Sequence, residues 1–374
     1  MASITMKNVS VTYDRGKTKA LKDLSLEVKD GEFCVFLGPS GCGKSTAMHC
    51  IAGLLHPDTG EIYINDELVT AMEKKVFVQP QQRNIAMVFQ EYALYPNMTV
   101  RKNMSFALAT KKVDKEEIAR RVDKMAKMLS IDHLLDRKPA ELSGGQRQRV
   151  ALGRALVRDP NVFLLDEPLG NLDAKLREQV RYELKKIQSD LGVTTVYVTH
   201  DQTEAMTMAD HIILMKDGEI VQEGTPSQLY DSPKNLFVAS FLGTPLINTF
   251  SCKVSEAGEG MRLQSDEIDI TLTGNDAAQL KDYAGRSVVL GIRPSDLSLA
   301  NSQESSNAAD SVFTGTVDSL ELLGDAYLVY VRSGEKVVIF KHPDVNEPLT
   351  GTVSLKANHT KIHLFDCETE ARIN

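Results

Sequence analysis

Gly38-Pro39-Ser40-Gly41-Cys42-Gly43-Lys44-Ser45-Thr46 is the stretch on which the reading of this chain turns. It follows Phe33-Cys34-Val35-Phe36-Leu37, a short continuous apolar run of the kind that forms a strand buried on both faces. It precedes a helical pattern with apolar Met48, Ile51 and Leu55, which His56-Pro57 is expected to end. Between strand and helix it matches G-x-x-x-x-G-K-S/T in full. Glycines let successive backbone N–H groups turn toward one anion without Cβ clashes. The helix N-terminus adds partial positive charge. Lys44 is placed to reach the β- and γ-phosphates of a nucleotide, and Ser45 to ligate Mg²⁺. Cys42 then fills a variable loop position and is not a redox centre.

Working outward, a second buried strand, Val162-Phe163-Leu164-Leu165, ends in Asp166-Glu167. Side chains at the C-terminal end of a parallel strand point into the ligand crevice. Asp166 suits the Mg²⁺ shell, and Glu167 is the better general base for an attacking water; the alternative is that either acid caps the next turn. Gln90 follows the strand Ile85–Phe89 and could touch both Mg²⁺ and that water; a lone Gln there is otherwise a solvated loop residue. His200 ends a third, β-branched strand, Thr194–Thr199, where it could hydrogen-bond the γ-phosphate; a lone His is more often structural, and its place at a third strand end is what favours the ligand role. Tyr13 closes the strand Asn8–Thr12 and offers a ring to stack on a base, with a core position as the other reading. Leu142-Ser143-Gly144-Gly145-Gln146 opens a helix carrying Arg147, Arg149 and Arg154. It is either a second anion site at a helix N-terminus or a helix capped by Ser143. Taken by itself the motif reads as the capped helix; if it is a second anion site, two copies sharing each nucleotide is the economical explanation for a chain with one phosphate loop.

Strand and helix alternate through residue 240, so this part is α/β with a mainly parallel sheet. Ile118, Val122, Met125 and Leu129 mark a helix over 113–130 whose methionines are core. Further helices are expected over 143–158 and 174–190. Beyond 240, short strand patterns recur: Ile268–Leu272, Val288–Ile292, Val312–Val317, Tyr327–Val331, Val337–Phe340, Val353–Leu355 and Ile362–Phe365. Asn301–Ser311 reads as a polar linker.

Among 374 residues, 43 are Lys or Arg and 51 Asp or Glu, a formal net charge of −8. Residues 1–240 carry 32 of each sign, so the whole excess lies in 241–374. That tail is a poor partner for nucleic acid. No apolar run is long enough to span a bilayer. The N-terminus lacks a signal-peptide pattern and alternates as a strand through Ile4, Met6, Val9 and Val11. The five cysteines have no metal-type spacing, which fits a reduced, cytoplasmic protein.

Taken in order, GPSGCGKST (38–46), FQ (89–90), LSGGQ (142–146), FLLDEP (163–168), GNLD (170–173) and TH (199–200) resemble the ATP-binding cassette (ABC) ATPases of membrane transporters. FQEYALYPNMTVRKNMSF (89–106), RKPAELSGGQRQRVALGRALVRDP (137–160), VTHDQTEAMTMADHI (198–212), LGIRPSDL (290–297) and HLFDCETE (363–370) bring the sequence nearer to the sugar-importer ATPases of the maltose and multiple-sugar type. The resemblance implies a P-loop NTPase core over 1–238, with a helical subdomain at about 91–158. It implies an all-β regulatory domain of OB-like, TOBE-type barrels over 239–374. It implies ATP and Mg²⁺ as ligands. Tyr13 would stack on adenine, and Gly38, Pro39, Ser40, Gly41, Cys42, Gly43, Lys44, Ser45 and Thr46 would hold the phosphates. Ser45, Gln90 and Asp166 would serve the metal, with Glu167, His200 and Gln90 at the reacting end. Ser143, Gly144, Gly145 and Gln146 would clasp the γ-phosphate bound by a second protomer, and Asp173 would couple the two sites. Gly170 stands where such ATPases commonly carry Ser.

The implied partners are a second copy, two integral membrane permease subunits docked on Tyr92–Asn103, and, indirectly, an extracytoplasmic solute-binding protein. The implied place is the cytoplasmic face of the membrane. A regulatory protein at the tail is a further expectation; nucleic acid is not. Cargo other than sugar (polyamine, ferric ion, sulfate, glycerol phosphate) and a soluble, non-transport ATPase role are the alternatives.

Overall fold

The computed structural model describes residues 2–170, 172–300, 313–345 and 348–374. Contacts divide the chain into two units, Met1–Pro226 and Ser227–Asn374. The expected linker Asn301–Ser311 lies outside the described residues, as do Val312 of one expected strand and Asn171 of the GNLD stretch.

The first unit runs β1 (Ile4–Tyr13), β2 (Thr18–Val28), β3 (Phe33–Leu37), α1 (Lys44–Ala52), β4 (Thr59–Ile64), β5 (Glu67–Ala71), β6 (Val76–Phe77), β7 (Ile85–Val88), α2 (Val100–Thr110), α3 (Lys115–Met128), α4 (Gly144–Leu156), β8 (Val162–Asp166), α5 (Ala174–Leu191), β9 (Thr194–Thr199), α6 (Gln202–Met208), β10 (His211–Lys216) and β11 (Glu219–Gly224). Five strands form an antiparallel sheet in the order β2-β1-β4-β5-β6. Six form the sheet β11-β10-β3-β9-β8-β7, parallel except for the β10–β11 hairpin. The α/β expectation with a mainly parallel sheet is borne out.

Ile4, Met6, Val9 and Val11 all point into the core, although their spacing breaks a strict period of two. The break is a bulge: the β1–β2 register shifts between Met6 and Val9, and Asn8 takes φ 50°. These residues pack with Met48 and Ile51 of α1 and with Phe36 and Val196 of the parallel sheet, so α1 is held between the two sheets. Each such fully buried side chain contributes on the order of 1.5–3 kcal/mol.

One boundary differs from expectation. Helix α1 stops at Ala52, before Leu55 and before His56-Pro57. Gly53 takes φ 73°, and its N–H bonds back to Cys50. A Cβ there would lie 2.6 Å from the Arg83 guanidinium. That guanidinium is buried and donates to the carbonyls of Cys50 and Ile51 at 3.0 and 2.9 Å, of Val78 at 2.8 Å and Val69 at 3.3 Å, and to Thr70 Oγ1 at 2.8 Å. A fixed positive charge thus sits on the C-terminal carbonyls of the helix that begins with Lys44, where the helix dipole favours it.

His211, at the start of β10, lies with Nδ1 3.6 Å from Glu32 Oε1 and Nε2 3.9 Å from Glu223 Oε2. The Glu32 contact raises the imidazole pKa above its ordinary value, against the pull of burial. Burial pulls Glu32 upward, but His211 and the Lys29 backbone N–H at 2.8 Å outweigh it and hold the carboxyl low. The His211 contribution is present below about pH 6.5 and is lost as pH rises through its raised pKa. The Glu32 contribution is present above about pH 4.3 and is lost as pH falls through its lowered pKa. Between pH 6 and 8.5 the thermal midpoint of the wild-type protein should therefore drop about 1–3 °C further than that of His211→Gln. Parallel scans of the two proteins check this; equal drops would remove the pair as a pH-dependent element.

The second unit contains α8 (Leu236–Phe241), preceded by α7 (Pro226–Asp231), then β12 (Asn248–Ala257), β13 (Gly260–Gln264), β14 (Asp269–Leu272), α9 (Gly274–Leu280), β15 (Ser287–Ile292), β16 (Leu297–Leu299), β17 (Phe313–Leu322), β18 (Tyr327–Ser333), β19 (Lys336–His342), β20 (Thr352–Ala357) and β21 (His363–Asp366). Its two antiparallel sheets run β14-β13-β12-β15-β21 and β16-β20-β17-β18-β19 around one core. Asn248 staples them together: its amide donates to Ile292 and Ile339 carbonyls and accepts from the Ile339 N–H. The contact division falls ahead of residue 238 because α8 and the end of α7 are tied to the β-sheets. The Leu236 N–H reaches the Glu370 carbonyl at 2.9 Å, and buried Arg293 reaches the carbonyls of Tyr230 and Leu242, both at 2.7 Å. No helix among the described residues is long and apolar enough to cross a membrane.

Candidate functional site

The parallel register builds the site. Leu37 pairs with Thr199, Asp166 with Val198, and Val88 with Leu165. Gly38, His200 and Glu167, which come next, and Gln90, one residue further on, therefore leave the same edge of one sheet. This is the crevice edge at which parallel α/β sheets bind ligands.

The loop from Gly38 to Gly43 can take its path only with glycine at its ends. Gly38 has φ 152°, and a Cβ there would stand 2.2 Å from the Met215 carbonyl oxygen. Gly43 has φ 105°, and a Cβ would stand 2.4 Å from that of Ala20. Gly43 is also the N-cap of α1 and brings no side-chain cap, so the first N–H groups of the helix face the crevice. Lys44 Nζ donates to the Gly38 and Pro39 carbonyls, both at 2.8 Å, and lies 3.8 Å from Cys42 Sγ. A cleft of about 810 Å³ opens over this loop. Tyr13, Ser40, Gly41, Gly43, Lys44, Ser45, Thr46 and Glu167 line it. Tyr13 is 41% exposed, and its OH stands 3.5 Å from Thr46 Oγ1, so its ring belongs to the cleft and not to the core.

The acids are held by name. Asp166 accepts from Ser45 Oγ at 3.0 Å, and the pair presents hard oxygen donors of the kind Mg²⁺ takes, with Ser45 lining the cleft. Glu167 takes φ 42°, a left-handed conformation unusual for glutamate, while its N–H is bound to the Val198 carbonyl at 3.0 Å. This turns its carboxylate toward His200, whose Nδ1 stands 3.2 Å from Oε1. Gly170 follows in the same turn, its N–H 3.3 Å from the Glu167 carbonyl. A Cβ on Gly170 would meet nothing closer than 3.6 Å, with Gln90 Nε2 at 3.9 Å, so the space for a serine exists and Gln90 lies beside this turn.

Not every expected residue meets the cleft. Ser143 caps α4: its Oγ accepts from the Gln146 N–H at 3.3 Å, and Gln146 Oε1 accepts from the Ser143 N–H at 2.9 Å. Gly145 lets α4 lie against Leu176, which a Cβ would meet at 2.7 Å. Asp173 caps α5 through the Leu176 N–H at 3.0 Å. Neither Ser143–Gln146 nor Asp173 lines the cleft of its own chain.

Two features escaped the sequence reading. His49 stands one helical turn after Ser45, and its Nε2 lies 3.6 Å from Asp166 Oδ2. The i, i+4 spacing was the available signal. Lys17 and Lys19 also line the cleft, just after Tyr13, and bring positive charge to its rim.

Residues 21–170 match the ABC transporter family, residues 243–297 the MalK OB fold domain, and residues 290–365 the TOBE domain. The chain is 47% identical over 372 residues to a trehalose/maltose import ATP-binding protein of Thermococcus litoralis, covering 99% of each. It is 46% identical over 374 residues to the sn-glycerol-3-phosphate import ATP-binding protein of Escherichia coli K12, covering 100% of each. Among solved structures it is similar to a dimeric post-hydrolysis state of an ATP-binding cassette bound to ADP and Pi, with TM-score 0.52 and 37% identity over 60% of this chain and 98% of the other. It is also similar to cbiO1 of Clostridium perfringens, part of an ABC transporter complex, with TM-score 0.55 and 30% identity over 61% of this chain and 90% of the other.

Proposed function

From the premise that this chain belongs to the ABC transporter ATPase family, we propose that it is the ATP-hydrolysing subunit of a solute importer with a sugar as cargo. The observation that supports hydrolysis best is the shared strand edge, which sets Ser45–Asp166 and Glu167–His200 beside the phosphate loop.

In this reading Tyr13 stacks on adenine, and Lys44 exchanges its two carbonyl acceptors for phosphate oxygens, which as anions accept more strongly. The free N–H groups at the start of α1 share that charge. Mg²⁺, held by Ser45 and Asp166 with Gln90 beside them, would neutralise charge on the transferred phosphoryl group. Glu167 takes the proton of the attacking water, and His200 hydrogen-bonds the γ-phosphate. Ser143–Gln146 serves the nucleotide of a second copy, which supports a homodimer with two composite sites. Asp173 links those two sites.

An apolar groove of about 510 Å³ lies beside the segment after Gln90, with half-exposed Phe89, Tyr95 and Phe106 along it. It supports docking of two membrane-spanning subunits at the cytoplasmic face, with the solute reaching them from a separate binding protein. The tail would then serve as a regulatory module. Similarity of equal length to a glycerol-phosphate import protein favours a phosphorylated polyol as the second reading of the cargo.

The test is co-purification of the full-length chain with membrane subunits, then ATPase assays with maltose, trehalose and sn-glycerol 3-phosphate. Stimulation by a sugar is expected. Stimulation by sn-glycerol 3-phosphate alone would transfer the assignment to the second reading. Absence of any membrane subunit would remove the importer reading.

A further inference from the structure

The segment after Gln90 is bent in an unusual way. Tyr92 and Ala93 are consecutive, neither is glycine, and both take left-handed backbone angles, φ 59° and 47°. Such a pair persists only where surrounding groups hold it. Tight turns hold one side: the Tyr92 N–H reaches the Phe89 carbonyl at 2.9 Å, and the Ala93 N–H that of Glu91 at 2.6 Å. Asn103 of α2 holds the far side, accepting from the Tyr95 N–H at 2.8 Å and donating to the carbonyls of Tyr95, Met98 and Thr99.

The two carbonyls that the bend turns outward go to a single side chain on another helix. Arg154 Nη1 donates to the Ala93 carbonyl at 2.5 Å and Nη2 to the Tyr92 carbonyl at 2.9 Å. Its guanidinium also stands 5.7 Å from the Tyr95 ring centroid. Arg154 lies in the last turn of α4, and the first turn of α4 is Gly144–Gln146, capped by Ser143. The helix is 13 residues long, a rod of about 20 Å. Gly153 seats the same end of the rod against Met104 of α2, which a Cβ would meet at 2.7 Å.

We propose that Arg154 is a positioning residue, tying the bent segment after Gln90 to the helix that presents Ser143–Gln146. A displacement of Tyr92–Tyr95 is carried through two short hydrogen bonds to one end of a rigid helix and felt at its other end. Use of this tie to transmit docking rests on the docking reading above; the tie itself does not.

Arg154→Gln removes the two-pronged donor, and Arg154→Lys keeps the charge without the fork. On the isolated full-length chain, Arg154→Gln should speed amide hydrogen exchange about tenfold in 92–95 and also in the first turn of α4, with β9 amides unchanged. Acceleration confined to 92–95, or spread evenly through the chain, would overturn the tie. In the complex with membrane subunits, solute-stimulated turnover should fall about tenfold or more in Arg154→Gln. Basal turnover and affinity for a fluorescent ATP analogue should stay within about threefold, and Arg154→Lys should recover part of the stimulation. Unchanged stimulation overturns the proposal. So does failure of Arg154→Gln alone to co-purify, since Arg154 would then be a docking contact. If the wild-type chain itself does not co-purify, the docking reading falls and the exchange result alone decides the tie.

Discussion

ATP turnover by Glu167→Gln protein is expected to fall by about 10²–10⁴-fold, the range a positioned general base supplies, while ATP binding is retained. Glutamine keeps the length and polarity of the side chain, so the turn at φ 42° and the cleft it lines keep their shape. It does not accept a proton from water at neutral pH. Phosphate release by purified full-length protein measures the loss, and a fluorescent ATP analogue measures the retained affinity. The variant should also accumulate an ATP-dependent dimer in size-exclusion chromatography, because in the homodimer reading hydrolysis of the shared nucleotides is what lets the protomers part. Unchanged turnover would return Glu167 to a turn-capping role.

A second substitution tests the composite site without touching the cleft. Ser143→Arg should abolish hydrolysis, a loss of at least about 10²-fold, the scale of removing positioned donors from a developing anion. ATP binding by each monomer should persist, because Ser143 lines no part of its own chain's cleft. The substitution also deletes the α4 cap, at a cost of about 1 kcal/mol. Ser143→Ala is the control, since it loses the same cap but leaves the space open. Normal hydrolysis by Ser143→Arg would show that the helix N-terminus is a capped end and nothing more.

Much of this site was legible because the chemistry sits at strand ends. Buried strands announce themselves as short apolar runs, so Gly38, Gln90, Asp166, Glu167 and His200 could each be placed just beyond one. Parallel register did the rest, since strands of one sheet deliver their next residues to one edge. Helix α2 and strand β12 carry no separate signal in the sequence, and the pattern that opens α1 runs on past its true end at Ala52. Its stop is set by Gly53 together with Arg83, a partner 30 positions away in the chain. The bend at Tyr92 and Ala93 had no signal at all, because neither residue type favours a left-handed backbone and its support comes from Asn103 and Arg154. Contacts that end on backbone carbonyls leave no mark on the residues that supply them.

Arg83 shows what such contacts mean for exchanging parts between related ATPases. Its five donor contacts fall on Cys50 and Ile51 at the end of α1, on Val69 and Thr70 of β5, and on Val78 just after β6. Four of the acceptors are main-chain oxygens, which any sequence can offer but only one backbone path can aim. A chimera that replaces residues 59–77 with a graft of different length would remove both acceptors of Arg83 Nη2 and leave one nitrogen of a buried guanidinium unpaired beneath the nucleotide helix. The antiparallel sheet is therefore not an interchangeable cover on the phosphate loop. The two form one transplantable block, with its seam at Arg83.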